Sequence, residues 1–155
     1  MSRAIADVHA QVDGRFFVFG YSRDTAGFWV SEGLPTVVEN AAGLGRLGEA
    51  TISALFASTE GVVAARNFRT DTPNRELLAW VGVETYGEYA KGVRSVKVHA
   101  FFDEKGGVNR LLVTPETNHG WEGFTPKVEH RESLEDVSAE ALGAAIERSL
   151  ELATP

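Results

Sequence analysis

AIADVHAQVDGRFFVFGY, residues 4–21, decides the fold. Its first half alternates. Ala4, Ala6, Val8, Ala10 and Val12 share one phase and Asp7, His9 and Gln11 the other, the period-2 pattern of a strand with one face in a core and one in solvent. Asp13-Gly14 supplies the backbone freedom of a tight hairpin turn. Residues 15–21 then return as a strand that is apolar on both faces, which places that strand inside a sheet rather than at its edge.

Outward from this hairpin, residues 28–30 and 36–38 read as short strands. A helix follows, because Leu47, Ala50, Thr51, Ala54, Leu55 and Ser58 repeat at the spacing of one helical stripe. Leu142, Ala145, Ile146, Ser149, Leu150 and Ala153 repeat the same spacing near the other end. Each stripe carries a glycine directly after its leading leucine, Gly48 and Gly143. Glycine inside a helix costs about 1 kcal/mol, so close approach of another backbone is the expected reason, and two helices packing near these glycines would explain both.

Between the two helices, residues 76–80 and 86–90 read as short helical turns. Residues 93–102 alternate as a strand, Lys105-Gly106-Gly107 turns the chain into a strand over 108–114, and residues 124–131 form a third. Ser133 and Ser138 are alternative caps for the last helix. This order of strands, helix, strands and helix predicts a single α+β domain over residues 1–155, a largely antiparallel sheet with helices on one face.

Composition narrows the class. The chain has 155 residues, no cysteine and a net charge of −7. A disulfide framework and thiolate metal sites are thereby excluded. No apolar run approaches the ~18 residues of a membrane span and no basic-then-apolar leader is visible, so the expectation is a cytoplasmic protein. Nine acids against three bases from Leu112 onward concentrate −6 in that segment, a field that repels nucleic acid and attracts basic partners.

Catalytic signatures are sparse. His9, His99, His119 and His130 share no metal-ligand spacing, so neither a metal site nor a cofactor is expected. Gly43-Leu-Gly45-Arg-Leu-Gly48 matches G-x-G-x-x-G but follows Glu39-Asn-Ala-Ala instead of a buried strand, and Phe68 stands where a ribose-binding acid is needed. It reads as a loop entering a helix. His119 with Glu116 and Glu122 offers a general acid/base group on a loop, placed in the most acidic part of the chain. The aromatic residues of 114–124 and 22–30 point instead to recognition, since tryptophan beside acids suits a basic protein partner.

The chain resembles the contact-dependent growth inhibition immunity proteins, small bacterial proteins that neutralise a toxin domain delivered by a neighbouring cell. The resemblance runs in order through Gly14-Arg-Phe-Phe-Val-Phe-Gly-Tyr-Ser-Arg23, Thr25-Ala-Gly-Phe-Trp-Val30, Leu47-Gly-Glu-Ala50 with Ala54-Leu55 and Ser58, Gly61-Val62, Leu77-Leu78, Gly82-Val83 and Val96-Lys-Val98. It continues through Thr114-Pro115, Asn118, Gly120 and Gly123-Phe124 to Leu142-Gly143-Ala144-Ala145. The Lys105-Gly106-Gly107 hairpin and Val62-Val63-Ala64-Ala65 depart from the pattern.

The resemblance implies a non-enzyme that binds a cognate toxin, often a nuclease, as a monomer in a 1:1 complex. The acidic segment agrees with a partner that is basic where it meets phosphate. Charge and expected exposure, rather than the resemblance, select Glu116, His119, Trp121 and Glu122 on the loop and Asp103 and Glu104 on the preceding hairpin as toxin-binding residues. A small acid/base enzyme built on His119 and a regulatory protein-binding module are the alternatives.

Overall fold

The computed structural model describes residues 2–31, 33–67 and 74–155. The hairpin that opens the chain is formed by β1 (Arg3–Ala10) and β2 (Phe16–Arg23), with Asp7 opposite Phe19 and Val8 opposite Val18. Gly14 takes φ +92°, the conformation its turn requires. β2 then pairs with β3 (Trp29–Ser31) near one end and with β4 (Thr36–Val38) near the other. After helix α1 (Leu44–Ala57) come two short helices, α2 (Arg75–Val81) and α3 (Tyr86–Ala90). β5 (Arg94–Phe102) and β6 (Val108–Asn118) form the second hairpin, followed by β7 (Phe124–Pro126), β8 (Glu132–Leu134) and helix α4 (Ala139–Leu152).

The described strands form one sheet in the order β3-β2-β1-β5-β6-β7, with β4 beside β2 and β8 beside β6. Every named strand pair is antiparallel. The α+β class is therefore observed. No described helix is long and apolar enough to cross a membrane.

The two long helices cover one face. Ala4, Ala6, Val8, Val96, Val98 and Val113 meet Leu47, Ala50, Leu55, Leu142, Ala145 and Ile146 there, all nearly or wholly removed from solvent. The helix crossing follows the two glycines. A Cβ on Gly48 would sit 1.8 Å from the Ala139 carbonyl oxygen, and one on Gly143 would sit 2.0 Å from that of Leu44. Each glycine lies against the first residue of the other helix, so no side chain fits at either position. Ser138 caps α4 by accepting a hydrogen bond from Ala141 N, while Ser133 lies in β8 opposite Leu112. Gly43-Leu-Gly45-Arg-Leu-Gly48 is the entry into α1, with Gly48 used for packing.

α2 and α3 lie against the other face, where Phe17, Phe19, Leu77, Leu78 and Tyr89 form a second cluster. This cover corrects the half-buried reading of β1. Asp7 and His9 are both 4% exposed, because β1 is flanked by β2 and β5 and its polar phase lies under other elements. A second correction concerns residues 124–131. β7 stops at Pro126, which has no N–H for a further ladder bond, and a 3-10 turn over Val128–His130 separates it from β8. A third concerns β6, which continues four residues past Thr114 to Asn118 and so carries Glu116 into the sheet.

Candidate functional site

The polar phases of the central strands converge on the face left open beside α3. Asp7 lies opposite Lys97 in the β1–β5 register, and Lys97 lies opposite Thr114 in the β5–β6 register. Lys97 Nζ sits 2.9 Å from Asp7 Oδ1, and Tyr21 Oη donates to Asp7 Oδ2 at 2.5 Å. The ammonium also lies 5.1 Å from the centre of the Tyr21 ring. Two residues back along β5, Ser95 Oγ donates to Glu116 Oε1 on the neighbouring β6 at 2.7 Å. These groups form the floor of a cleft of about 400 Å³ whose walls include Tyr86, Trp121, Glu122 and Phe124.

Glu116 is the unusual member. Its side chain is 1% exposed, so the exposed loop acid expected from sequence is a buried carboxylate on a strand. Among the described residues Ser95 is its side-chain hydrogen-bond partner, and no described cation stands within ion-pair distance of it. Burial, then the charge of Asp7, push its carboxyl up to about 7, against the opposing effects of Lys97 and the Ser95 hydrogen bond. Burial works against the charge of Lys97, but Asp7 and Glu116 together raise its ammonium above the ordinary range. Burial followed by the Asp7 charge raises the phenols of Tyr21 and Tyr86.

Around this floor, burial holds two imidazoles neutral. His9 is pushed down to about 4 by burial, with Asp7 opposing and Lys97 assisting. Its Nδ1 meets Tyr89 Oη at 2.7 Å, and its ring packs on Phe19 and Phe124. His99 is also lowered to about 4, by burial and then by Lys97, Arg3 and Arg131.

At the mouth of the cleft the chain is bent by Gly120 and Gly123, both at positive φ, around a single 3-10 turn that carries Trp121 and Glu122. Gly87 of α3 lies against the Trp121 backbone and Cβ, where an added Cβ would stand in ordinary contact at 3.6 Å. The Trp121 side chain remains 77% exposed. Asn118 Nδ2 ties this turn to α3 and the following loop by donating to Ala90 O at 2.6 Å and Val93 O at 3.0 Å. Trp121 is thus a large apolar ring on a fixed backbone.

The six residues selected from sequence fall into two groups. Glu116, His119, Trp121 and Glu122 gather at the cleft end of β6, although His119 turns to Thr125, with Nε2 2.7 Å from Oγ1. His119 and Glu116 therefore have separate hydrogen-bond partners. Asp103 and Glu104 lie in the hairpin beyond the other end of β6, roughly 25 Å away at the rise of an extended strand. Asp103 also organises that turn, accepting from Lys105 N at 2.9 Å and Gly107 N at 3.0 Å. Asp7, Tyr21, Tyr86 and Lys97 were missed. Their one signal was opposite charge in the polar phases of two strands, at Asp7 and Lys97. Among the described residues no group of three acids or histidines is placed to hold a metal ion.

No family model matches the chain, and no curated protein does. Solved structures do match it. A protein of unknown function, NMB0488 from Neisseria meningitidis, aligns with a TM-score of 0.74 at 18% identity, over 97% of this chain and 95% of that one. A chain of the CdiA-CT/CdiI toxin and immunity complex from Yersinia pseudotuberculosis aligns with a TM-score of 0.70 at 18% identity, over 99% of each. At this identity the likeness shows a shared fold, end to end.

Proposed function

We propose that this protein is an immunity protein of a contact-dependent growth inhibition system, binding a toxin domain and neutralising it without catalysis. The observation that carries the reading is the end-to-end fold likeness to a chain of the CdiA-CT/CdiI toxin and immunity complex. The cleft supports it, because an exposed tryptophan on a braced turn beside buried carboxylates has the make-up of a protein-binding hot spot. The partner is a basic nuclease domain, bound one to one by a cytoplasmic monomer. Complementary charge gives the fast capture that a lethal target demands.

Trp121, Glu122 and His119 form the rim of the contact and Glu116 its floor. Asp103 and Glu104 make a second acidic patch that a domain-sized partner can reach. The test is co-expression with the C-terminal domain of a large exoprotein encoded immediately upstream, scored by co-purification and growth rescue. A stable complex with restored growth is the expected result. Failure of both with a folded toxin domain overturns the reading.

A further inference from the structure

We propose that the cleft receives one basic side chain of the partner protein, an arginine or lysine whose charge sits against Glu116 and whose stem lies along Trp121 and Tyr86. This rests on the reading of the partner as a protein. The argument begins with an unmatched charge. Asp7 and Lys97 form an ion pair at 2.9 Å, with Tyr21 Oη on the second Asp7 oxygen. Among the described residues Glu116 has Ser95 as its hydrogen-bond partner and no ion-pair partner, with Lys97 acting on it only at longer range, although it is 1% exposed. A buried carboxylate with a hydroxyl and no cation is an incomplete arrangement, and it becomes complete when a cation arrives.

The walls make the same point independently. Tyr86, Trp121 and Phe124 line the opening, and Glu122 adds a second acid there. Aromatic faces with carboxylates between them are the chemistry that holds a guanidinium or ammonium group, since ring faces and carboxylates both attract positive charge. A neutral or acidic side chain would leave Glu116 as it stands. Three carboxyl groups, Asp7, Glu116 and Glu122, share the cleft with one ammonium group, Lys97, so charge complementarity selects a basic occupant.

Binding then moves a proton. The titratable groups facing Glu116 are Asp7 of β1, Tyr21 of β2, Lys97 of β5, Tyr86 of α3 and Glu122 of the 120–122 turn. Without a partner, Glu116 holds its proton up to about pH 7. An incoming cation stabilises the carboxylate, so the proton leaves to solvent. Binding should therefore tighten as pH rises toward and through 7 and level off once the free protein is already ionised.

The first test uses N-acetyl-L-arginine amide as the probe, titrated into ¹⁵N-labelled protein at pH 7, with its uncharged isostere N-acetyl-L-citrulline amide as control. The Trp121 indole N–H resonance is identified through Trp121→Phe. Arginine amide should move that resonance with saturation in the millimolar range, citrulline amide should leave it, and Glu116→Gln should abolish the response. Equal responses to both amides, or no response up to roughly 50 mM, would overturn the proposal.

The second test measures affinity for the toxin domain between pH 6 and 8, with Glu116→Gln and the surface variant Trp121→Ala. Loss of about tenfold or more in each, and loss of the pH dependence and proton release in Glu116→Gln, are expected. Tight binding that Glu116→Gln leaves unchanged removes the cleft proposal and keeps the immunity reading. No toxin binding by wild type removes the immunity reading, and the arginine amide titration still decides the cleft.

Discussion

Asp7 and Lys97 are joined across β1 and β5 at 2.9 Å, and the carboxylate side of this pair is 4% exposed. An ion pair with a buried carboxylate is sensitive to losing that partner, because the half-buried ammonium, 27% exposed at the cleft, is left without the counter-charge beside it. Asp7→Asn is therefore expected to lower stability by about 2–4 kcal/mol in urea unfolding at pH 7, and the double variant Asp7→Asn/Lys97→Met by less than Asp7→Asn alone. A double variant as unstable as the sum of its parts would mean that the pair is not coupled.

Glu116 works in the opposite sense. Its folded-state carboxyl is raised to about 7, so the folded protein retains a proton that the unfolded chain releases nearer 4.5. The stabilising contribution of that retained proton is present below about 4.5 and is lost as pH rises through 7. Glu116→Gln, which cannot ionise, should be more stable than wild type by about 1–3 kcal/mol at pH 8 and no different at pH 4.5. Thermal unfolding of both proteins at the two pH values checks this.

His9, with His99, contributes to the acid limit. Its folded-state imidazole lies near 4 rather than 6.5, so below about 6.5 the unfolded chain gains a proton that the folded protein refuses. Stability contributed by the neutral ring is complete above 6.5 and falls away down to about 4, by about 3 kcal/mol in all. The expected observation is a flatter pH dependence in His9→Phe than in wild type over that window, whatever the absolute loss from breaking the Tyr89 contact. Parallel curves would assign the acid sensitivity to other groups.

Gly143→Ala and Gly48→Ala test the helix crossing. Alanine favours a helix by about 1 kcal/mol over glycine, yet the added Cβ would overlap a carbonyl oxygen at 2.0 Å and 1.8 Å. Both variants should lose about 3 kcal/mol or more, while Gly45→Ala, with its nearest neighbour at 4.0 Å, should gain up to about 1 kcal/mol. Denaturant midpoints of the three variants separate the two effects.

Much of this architecture was legible because it is local. The stripe from Leu47 to Ser58 and the turn at Asp13-Gly14 are written in spacings of a few residues, and Gly48 and Gly143 stood out by violating helix propensity. The cleft was not legible because it is assembled from distant residues. Alternation shows that Asp7 and His9 share a face, but what covers that face comes from Tyr89 and Phe124. Glu116 read as a loop acid because Pro115 and Asn118 flank it, whereas the sheet accommodates Pro115 opposite Val96. Trp121 was visible because it is an aromatic residue between glycines.

The crossing of α1 on α4 also bears on how the chain reaches its native state. Leu44 meets Gly143, and Ala4 of β1 pairs with Ala100 of β5, contacts that each close a loop of about ninety residues or more. Neither the central strand pair nor the helix layer can be completed by neighbours in sequence. Such wiring slows folding toward the millisecond-to-second range, and it ties the first hairpin and the last helix into one cooperative unit. A protein wired this way has little use for half-formed states: it is folded throughout or not at all.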